Sequence, residues 1–175
     1  MSNIDTVAYL KAGRMFTASN VSAKIITVVG TAMTGLVLYN PLGSNKMLSL
    51  MSAGFSLTTA LGSISSIGVA ISPVIATAPS SLTVGSAIIK SANGGTVNSV
   101  GVAWDIATLG AAPVTQRWFA GLNWITGGAG QAPYQFSDKI DGELGLLPGS
   151  AVCFAGIGTT LPTGMGSFSY VEIDL

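Results

Sequence analysis

The densest group of carboxylates in the chain is Asp138, Asp141 and Glu143, within the segment SDKIDGEL. Clustered carboxylates can hold a hard cation such as calcium, or can act as a general acid and base. A calcium-binding loop needs carboxylates at alternate positions, a fixed glycine and a terminal bidentate glutamate. This segment has a different spacing and carries Lys139 inside it. The pattern therefore favours a solvated hairpin tip, and we predict no metal site.

The sequence offers few residues or motifs for other kinds of catalysis. The chain has no histidine, which removes the commonest general base, the histidine-dependent triads and imidazole metal ligands. The glycine-rich stretches GGAGQ and GIGTT are not followed by lysine and lie outside any βαβ pattern, so they do not indicate phosphate binding. A glycosidase needs two carboxylates that face each other across a cleft, and nothing else here favours one. We therefore expect a protein that is not an enzyme and has no cofactor.

The three tryptophans, Trp104, Trp118 and Trp124, have two readings. Exposed on a β-sandwich, they could stack on sugar rings, as in a receptor-binding module. Buried in a sheet face or in a subunit interface, large aromatic residues dominate the packing energy. Trp118 and Trp124 fall on the same face of one predicted strand. We favour a core or interface position, and carbohydrate binding remains the alternative.

The elements that must position these residues are β-strands. Short apolar runs bounded by glycine, proline, asparagine and serine are typical of an all-β sandwich or barrel. In LVLYNPLGSNKMLSLM, Asn40 and Pro41 predict a type I turn between two core strands. Asn93-Gly94 and Asp141-Gly142 predict hairpin turns. The predicted strands are 24–29, 34–39, 46–57, 64–71, 86–90, 100–104, 117–125, 150–155 and 166–173.

Composition sets the size and the surface of the molecule. The chain has 175 residues, enough for one domain. We divide it into an extended N-terminal arm of residues 1–20, with at most a short helix, and a single β-sandwich domain of residues 21–175 with about eight strands. Only 8% of the residues are charged and the net charge is zero, a balance that favours association. The single cysteine, Cys153, excludes an intramolecular disulfide and is predicted to be a buried small hydrophobe.

Two further classes of partner are not expected. Seven basic residues scattered along the chain give no footprint for nucleic acid. The segment between Lys46 and Lys90 carries no charge, but serine, threonine, glycine and proline interrupt it, and it contains no run of about 20 apolar residues. The start of the sequence lacks the pattern of a signal peptide. We therefore expect no insertion into a membrane.

Three stretches, LVLYNPLGSNKMLSL, KIDGELGLLPGSAVCFAGIG and GSFSYVEIDL, resemble the small virion structural proteins of tailed bacteriophages that decorate or cement the capsid. The resemblance covers residues 24–71 and 140 to the end, and it is absent from residues 72–116. Its motifs combine turns with strands, and its marker residues are Asn40, Pro41, Lys46, Leu147, Pro148, Gly149, Tyr170 and Glu172.

This resemblance implies a jelly-roll or related β-sandwich on the outer surface of the capsid, made in the host cytoplasm. The expected partners are the phage major capsid protein and other copies of the chain, with a homotrimer favoured and a dimer possible. Trp118, Trp124 and Tyr170 are the candidates for the oligomer interface. The alternatives are a receptor-binding module of a tail fibre or head fibre, and a minor tail or adaptor component.

The N-terminal arm is the candidate for contact with the capsid protein. Its extended length of about 65 Å reaches a neighbouring subunit, and its candidate contact residues are Lys11, Arg14 and Phe16. Deletion of residues 1–20 is then expected to release the protein from capsids while the oligomer survives.

Overall fold

The computed structural model describes residues 5–58, 65–83, 87–122, 135–158 and 161–175. In this part of the chain the protein is a sandwich of two antiparallel β-sheets, preceded by a short helix, α1 (Thr6–Lys11). The strands are β1 (Met15–Asn20), β2 (Lys24–Ile25), β3 (Ala32–Tyr39), β4 (Lys46–Leu57), β5 (Ser65–Ser72), β6 (Ser80–Thr83), β7 (Ala87–Ser91), β8 (Val102–Thr108), β9 (Val114–Leu122), β10 (Gln135–Leu146), β11 (Ala151–Gly158) and β12 (Thr163–Asp174).

The strands divide evenly between the two sheets. In sheet 1 the order is β10-β4-β12-β1-β7, and β2 pairs with the start of β12. In sheet 2 the order is β6-β8-β3-β11-β5-β9. Successive side chains of a strand point to opposite faces, so every second one points into the space between the sheets. There Phe154 stacks on Phe168 with ring centroids 4.5 Å apart. The prediction of an all-β sandwich is confirmed.

A second, smaller core covers the opposite face of sheet 2. It includes Met33, Val37, Trp104 and Cys153, all of them buried, and Trp104 stacks on Tyr39 at a centroid distance of 5.7 Å. Residues 36–39 are therefore covered on both sides, as their continuous apolar character predicts. The buried Leu109 also belongs to this cluster, which ties the loop after β8 to the sheet.

The position of Cys153 in this second core gives a testable prediction. Burial raises the pKa of its thiol to about 12, because the charged thiolate is poorly solvated there, and the thiolate is the reactive form. The folded protein is expected not to react with a chromogenic disulfide reagent at mildly alkaline pH, and to release one thiol per chain in denaturant. Full labelling of the native protein faster than it unfolds would contradict this burial.

The structure corrects the prediction of an N-terminal arm. Residues 15–20 form β1, an interior strand of sheet 1 that pairs with β12 on one side and β7 on the other. Phe16 is 1% exposed and Ala18 is fully buried. Alternation of apolar and polar residues in MFTASN suits a half-covered sheet, so this segment is part of the domain.

The predicted hairpin at Asp141-Gly142 is wrong. Both residues have positive φ, 50° and 83°, as a hairpin turn requires, yet they form a bulge inside the continuous strand β10. Lys139 pairs with Ser52 and Leu144 with Leu50, so five steps along β10 oppose two along β4 (144 − 139 = 5; 52 − 50 = 2). The apolar residues on both sides of the bulge pair with β4, and this pairing outweighs the local turn preference.

Two other turns also differ from the prediction. At Asn93-Gly94 the chain turns, with Gly94 N donating to Ser91 O at 3.1 Å, but β7 and the next strand, β8, belong to different sheets and form no hairpin.

Near Asn40 the hydrogen bond from Ser44 N to Pro41 O shows that the turn begins at Pro41, one residue later than predicted. Gly43, its third residue, has φ of 76°, which fits a type II turn.

The strand count also differs, with twelve strands in the described residues against about eight predicted. Strands β7 and β8 lie near the predicted strands 86–90 and 100–104, so the additional strands are β1, the short β6, and β10, which replaces the predicted hairpin. The predicted strand 24–29 shortens to β2, because Ile26 and Thr27 bond to Pro162 and Gly156 outside any ladder.

Candidate assembly interface

The two turns that carry the resemblance meet at one end of the sandwich, around the fully buried Asn40. Its Nδ2 donates to Lys46 O at 2.7 Å and to Leu146 O at 2.8 Å, and its Oδ1 accepts from Ser44 Oγ at 2.7 Å. Its backbone N–H donates to Ser150 O, and its carbonyl accepts from Gly149 N at 2.7 Å. Asn40 therefore joins the β3–β4 corner to the segment between β10 and β11.

The C-terminal marker residues belong to the same end. Glu172, 2% exposed, accepts from Ser99 Oγ and Val100 N, each at 2.7 Å, and Lys46 Nζ lies 2.9 Å from its Oε2. Because the Ser99 hydroxyl donates to Glu172, the Tyr170 hydroxyl, 2.6 Å away, donates to Ser99. Burial raises the pKa of Tyr170 above its usual range; the Ser99 bond lowers it and Glu172 adds to the rise. These contacts fix the last strand to the core.

An apolar patch lies on the surface of this end, which we call the corner patch: Leu42, Val74 and Leu147. Their side chains are 48%, 51% and 47% exposed. Leu42 and Val74 converge on Gly149, where an added Cβ would lie 2.8 Å from Leu42 Cδ2 and 3.3 Å from Val74 Cγ1. Gly149 also has φ of 92°, so glycine is required there for both space and conformation. The patch is therefore held by the hydrogen-bonded turns beneath it.

The outward side of sheet 1 forms a second candidate surface, which we call the hydroxyl face. Paired residues align in rows across its strands. One row is Lys90, Thr17, Ser169, Ser52 and Lys139; the next is Ile88, Ser19, Ser167, Gly54 and Ser137; and a third is Met165, Ser56 and Gln135. In these rows the side chains of the central strands β1, β12 and β4 are small or uncharged, and the two lysines stand on the outer strands. The result is a surface rich in hydroxyl groups, with about 4.8 Å between strands.

Charges are concentrated at the other side of the molecule, where the edge strands β9 and β10 face each other across the open side of the sandwich. Arg117 of β9 binds Asp138 at 2.9 Å and Glu143 at 2.8 Å on β10, and Lys139 pairs with Asp141 at 3.5 Å. Bulges interrupt both strands. Charges and bulges are the devices that prevent pairing with another sheet, so this edge is protected from strand addition.

The predicted contact residues have different surroundings. Lys11 is exposed at the end of α1, and Arg14 is partly exposed and paired with Asp174 at 2.7 Å. Phe16 and Tyr170 are buried, with stacked rings 5.8 Å apart. Neither Phe16 as a capsid contact nor Tyr170 as an oligomer contact is therefore possible in this fold, since their side chains fill the core.

The three tryptophans also differ in where they lie. Trp118 is 45% exposed and its ring lies over Gly68, where an added Cβ would be 2.9 Å from Cε3. Its role in an interface stays a prediction. Trp124 lies outside the described residues. Trp104 packs in the second core.

Comparison with protein-family models, with curated proteins and with solved structures found no match. Within the described ranges, no group of three or more His, Cys, Asp or Glu residues could hold a metal ion. The described helix, α1, has six residues and is too short to cross a membrane.

Sequence reasoning does not find the hydroxyl face as a whole, although a signal exists for it. Serine recurs at every second position in 52–56 and 167–169, apart from Gly54, and polar residues alternate with buried ones in 15–20. This is the period-two pattern of a half-covered strand. What the sequence does not contain is the register, which sets these short runs side by side.

Proposed function

We propose that this chain is a non-enzymatic virion structural protein of a tailed bacteriophage, which decorates the outer surface of the capsid and cements its major capsid protein subunits. The observation that carries the proposal is the meeting of the three resembling stretches at one end of the sandwich. Asn40 bonds to Leu146 and Ser150, and Lys46 bonds to Glu172. Residues far apart in sequence, on which the resemblance depends, thus act as one structural unit.

The strand pairing supports a jelly roll with an insertion. A jelly roll follows from wrapping one long hairpin of eight strands, so that its first strand pairs with the last, the second with the seventh, and so on inward. Here β1 pairs with β12, β3 with β11, β4 with β10 and β5 with β9. Strands β6–β8, between β5 and β9, extend the two sheets at their other edge.

In this proposal the hydroxyl face forms the contact between copies of the chain, in a trimer or alternatively a dimer. A surface without charges in its central strands can be buried without the cost of desolvating ions. The corner patch, together with Lys11, is assigned to the capsid protein. Many copies on one shell make weak individual contacts sufficient for stable attachment.

Replacing Ser52 with arginine tests the contact between copies. The new side chain would stand in the middle of the hydroxyl face and would put like charges together when two faces meet, so we expect the oligomer to dissociate into folded monomers. Thr96→Arg, a change of the same kind in an exposed loop, is the matched control. Sedimentation equilibrium at several concentrations gives the native mass, and circular dichroism checks the fold. An oligomer of unchanged mass in Ser52→Arg would contradict this assignment.

Capsid binding tests the function itself. Shells of the phage that encodes the chain, assembled without it, are expected to cosediment with the purified protein in a saturable ratio. The double variant Leu42→Asp/Leu147→Asp, which places two charges on the corner patch, is expected to lose at least tenfold in affinity while it keeps the native mass. Failure of the unaltered protein to bind shells would refute the proposal. Binding that is equal in the variant would reject only the corner patch.

The exposure of Trp118 favours a second candidate, a receptor-binding module that stacks this ring on a host glycan. That function predicts binding of host-envelope oligosaccharides that is lost in Trp118→Ala. Capsid decoration predicts that the same variant still binds shells normally.

A further inference from the structure

Asp105, in β8, is a buried carboxylate with no hydrogen bond. Its side chain is fully buried, and neither Oδ1 nor Oδ2 has a hydrogen-bond partner among the described residues. The cation nearest to it is Lys24 of β2, whose Nζ lies 3.7 Å from Oδ2 and whose side chain is 28% exposed. Buried polar groups in native proteins nearly always have partners, so an exception needs a specific explanation.

The other buried carboxylate of the described residues, Glu172, shows how the protein ordinarily solvates such a group. Glu172 accepts two hydrogen bonds and has an ammonium group at 2.9 Å. A charge removed from water needs such bonds in addition to a counterion, because the attraction within the pair alone does not offset desolvation. At Asp105 only the counterion is present. The pair of Lys24 and Asp105 is therefore a poor ion pair, but its two groups lie side by side, with Nζ 3.7 Å from Oδ2.

We propose that Lys24 and Asp105 are joined by an isopeptide bond, an amide between the lysine Nζ and the aspartate Cγ. One proton first passes from the ammonium group to the carboxylate, so that the uncharged Nζ can attack Cγ; the N–C bond forms, and one C–O bond breaks. Of the three hydrogens of the ammonium group, one stays on the amide nitrogen and two leave with the carboxylate oxygen as water. The two charges cancel, no electron is transferred, and no co-reactant is required.

The fold supplies the conditions for this condensation. Held groups in intramolecular reactions reach effective concentrations of about 10⁵–10⁸ M when the reacting atoms are roughly 3–3.5 Å apart, and the flexible lysine stem can close the remaining gap. The neutral amide no longer suffers the cost of a buried charge. The partial exposure of Lys24 gives the released water a way out.

The bond would connect the two sheets covalently. Lys24 lies in β2, which pairs with β12 of sheet 1, and Asp105 lies in β8 of sheet 2. It would close a loop of 81 residues (105 − 24 = 81) and, like a disulfide, would restrict the unfolded chain. With its single cysteine the chain cannot form an intramolecular disulfide.

Intact-mass spectrometry of the purified full chain in denaturing solvent tests the proposal. The expected mass is one water molecule below that of the sequence, and a protease digest is expected to give a branched peptide that contains Lys24 and Asp105. Lys24→Arg keeps the cation but is expected to retain its full sequence mass. Asp105→Asn is expected to lose ammonia instead, and so to reach the same mass as the cross-linked native chain.

A native chain with the full sequence mass overturns the proposal, as does a digest with both peptides free. Asp141-Gly142 can also lose one water molecule, by closing to a succinimide. That loss would persist in Lys24→Arg and would map to residues 141–142, and it too would overturn the assignment. If either variant fails to fold, the digest of the native chain is sufficient to test the proposal.

Discussion

Deletion of residues 1–20 is expected to abolish the folded domain, whereas deletion of residues 1–13 is expected to leave it folded. The longer deletion removes β1 from the interior of sheet 1, with five paired residues to β12 and five to β7. It also removes Phe16 from its stack on Tyr170; loss of a buried phenylalanine side chain alone costs about 3–5 kcal/mol. A small domain has about 5–15 kcal/mol of stability in total, so the combined loss exceeds what it can tolerate.

The shorter deletion is the matched control. It removes α1, which has no buried residue, and keeps Arg14, whose carbonyl accepts from Glu172 N at 3.0 Å. Circular dichroism and thermal unfolding distinguish the two variants. The shorter deletion is expected to unfold in a cooperative transition near that of the full chain, and the longer deletion is expected to show no such transition. A folded, soluble domain without residues 1–20 would restore the interpretation of this segment as a detachable arm.

Replacement of Asn40 with aspartate is expected to lower the free energy of unfolding by about 3–5 kcal/mol. The two side chains have nearly the same shape, so packing is preserved. The change removes both donors from Lys46 O and Leu146 O and puts a negative oxygen within about 3 Å of these carbonyls. The buried Leu146 O then loses this donor, Lys46 O keeps only the longer bond from Ser44 Oγ at 3.3 Å, and a charge is buried without a cation.

Urea unfolding at neutral pH measures this loss. Ser44→Ala removes the bond from Ser44 Oγ to Asn40 Oδ1 at 2.7 Å and two longer bonds to the Lys46 backbone at 3.3 and 3.4 Å. It leaves both amide donors of Asn40 in place and is expected to cost only about 0.5–1.5 kcal/mol. In acid the new carboxyl of Asn40→Asp binds a proton and can donate one hydrogen bond, so its deficit is expected to shrink as the pH falls. Equal stability of Asn40→Asp and the unaltered chain would show that the corner does not depend on this amide.

Some of the fold could be predicted from the sequence, because local patterns specify it. Strand β4 has the predicted bounds, since an apolar run flanked by turn residues determines both ends. Cys153 lies in an apolar run on both sides and is buried as predicted. Asn40 and Pro41 correctly mark a reversal of the chain, because their turn chemistry acts over only a few residues.

The errors have one physical cause, namely that pairing partners are distant in sequence. Asp141-Gly142 has the backbone conformation of a hairpin, but β4 pairs with β10 on both sides of it, and this long-range ladder decides the structure. Residues 15–20 fall within the predicted N-terminal arm because this strand is short and half polar, whereas its stability comes from pairing with β12 and β7. Tyr170 is predicted from the resemblance to lie in the oligomer interface, whereas the register of β12 sets it opposite Phe16 in the core.

The same dependence on register explains the candidate surfaces. The corner cluster unites Asn40 with Leu146 and Lys46 with Glu172, separations of more than a hundred residues (146 − 40 = 106; 172 − 46 = 126). The hydroxyl face likewise requires four ladders to be aligned. Composition alone indicates a surface of low charge, but it does not tell which side of which sheet provides it.

The internal pairing of charges has a consequence for the kinetics of assembly. In the described residues five cations, Arg14, Lys24, Lys46, Arg117 and Lys139, have an acidic partner within the same chain. A surface neutralised in this way projects little long-range field, so diffusional encounter with a partner gains nothing from steering and proceeds at about 10⁵–10⁶ M⁻¹s⁻¹. The association rate should then hardly change with ionic strength, because there is little for salt to screen. Such a protein would associate with its partner slowly, and its binding would be equally strong at low and at high salt.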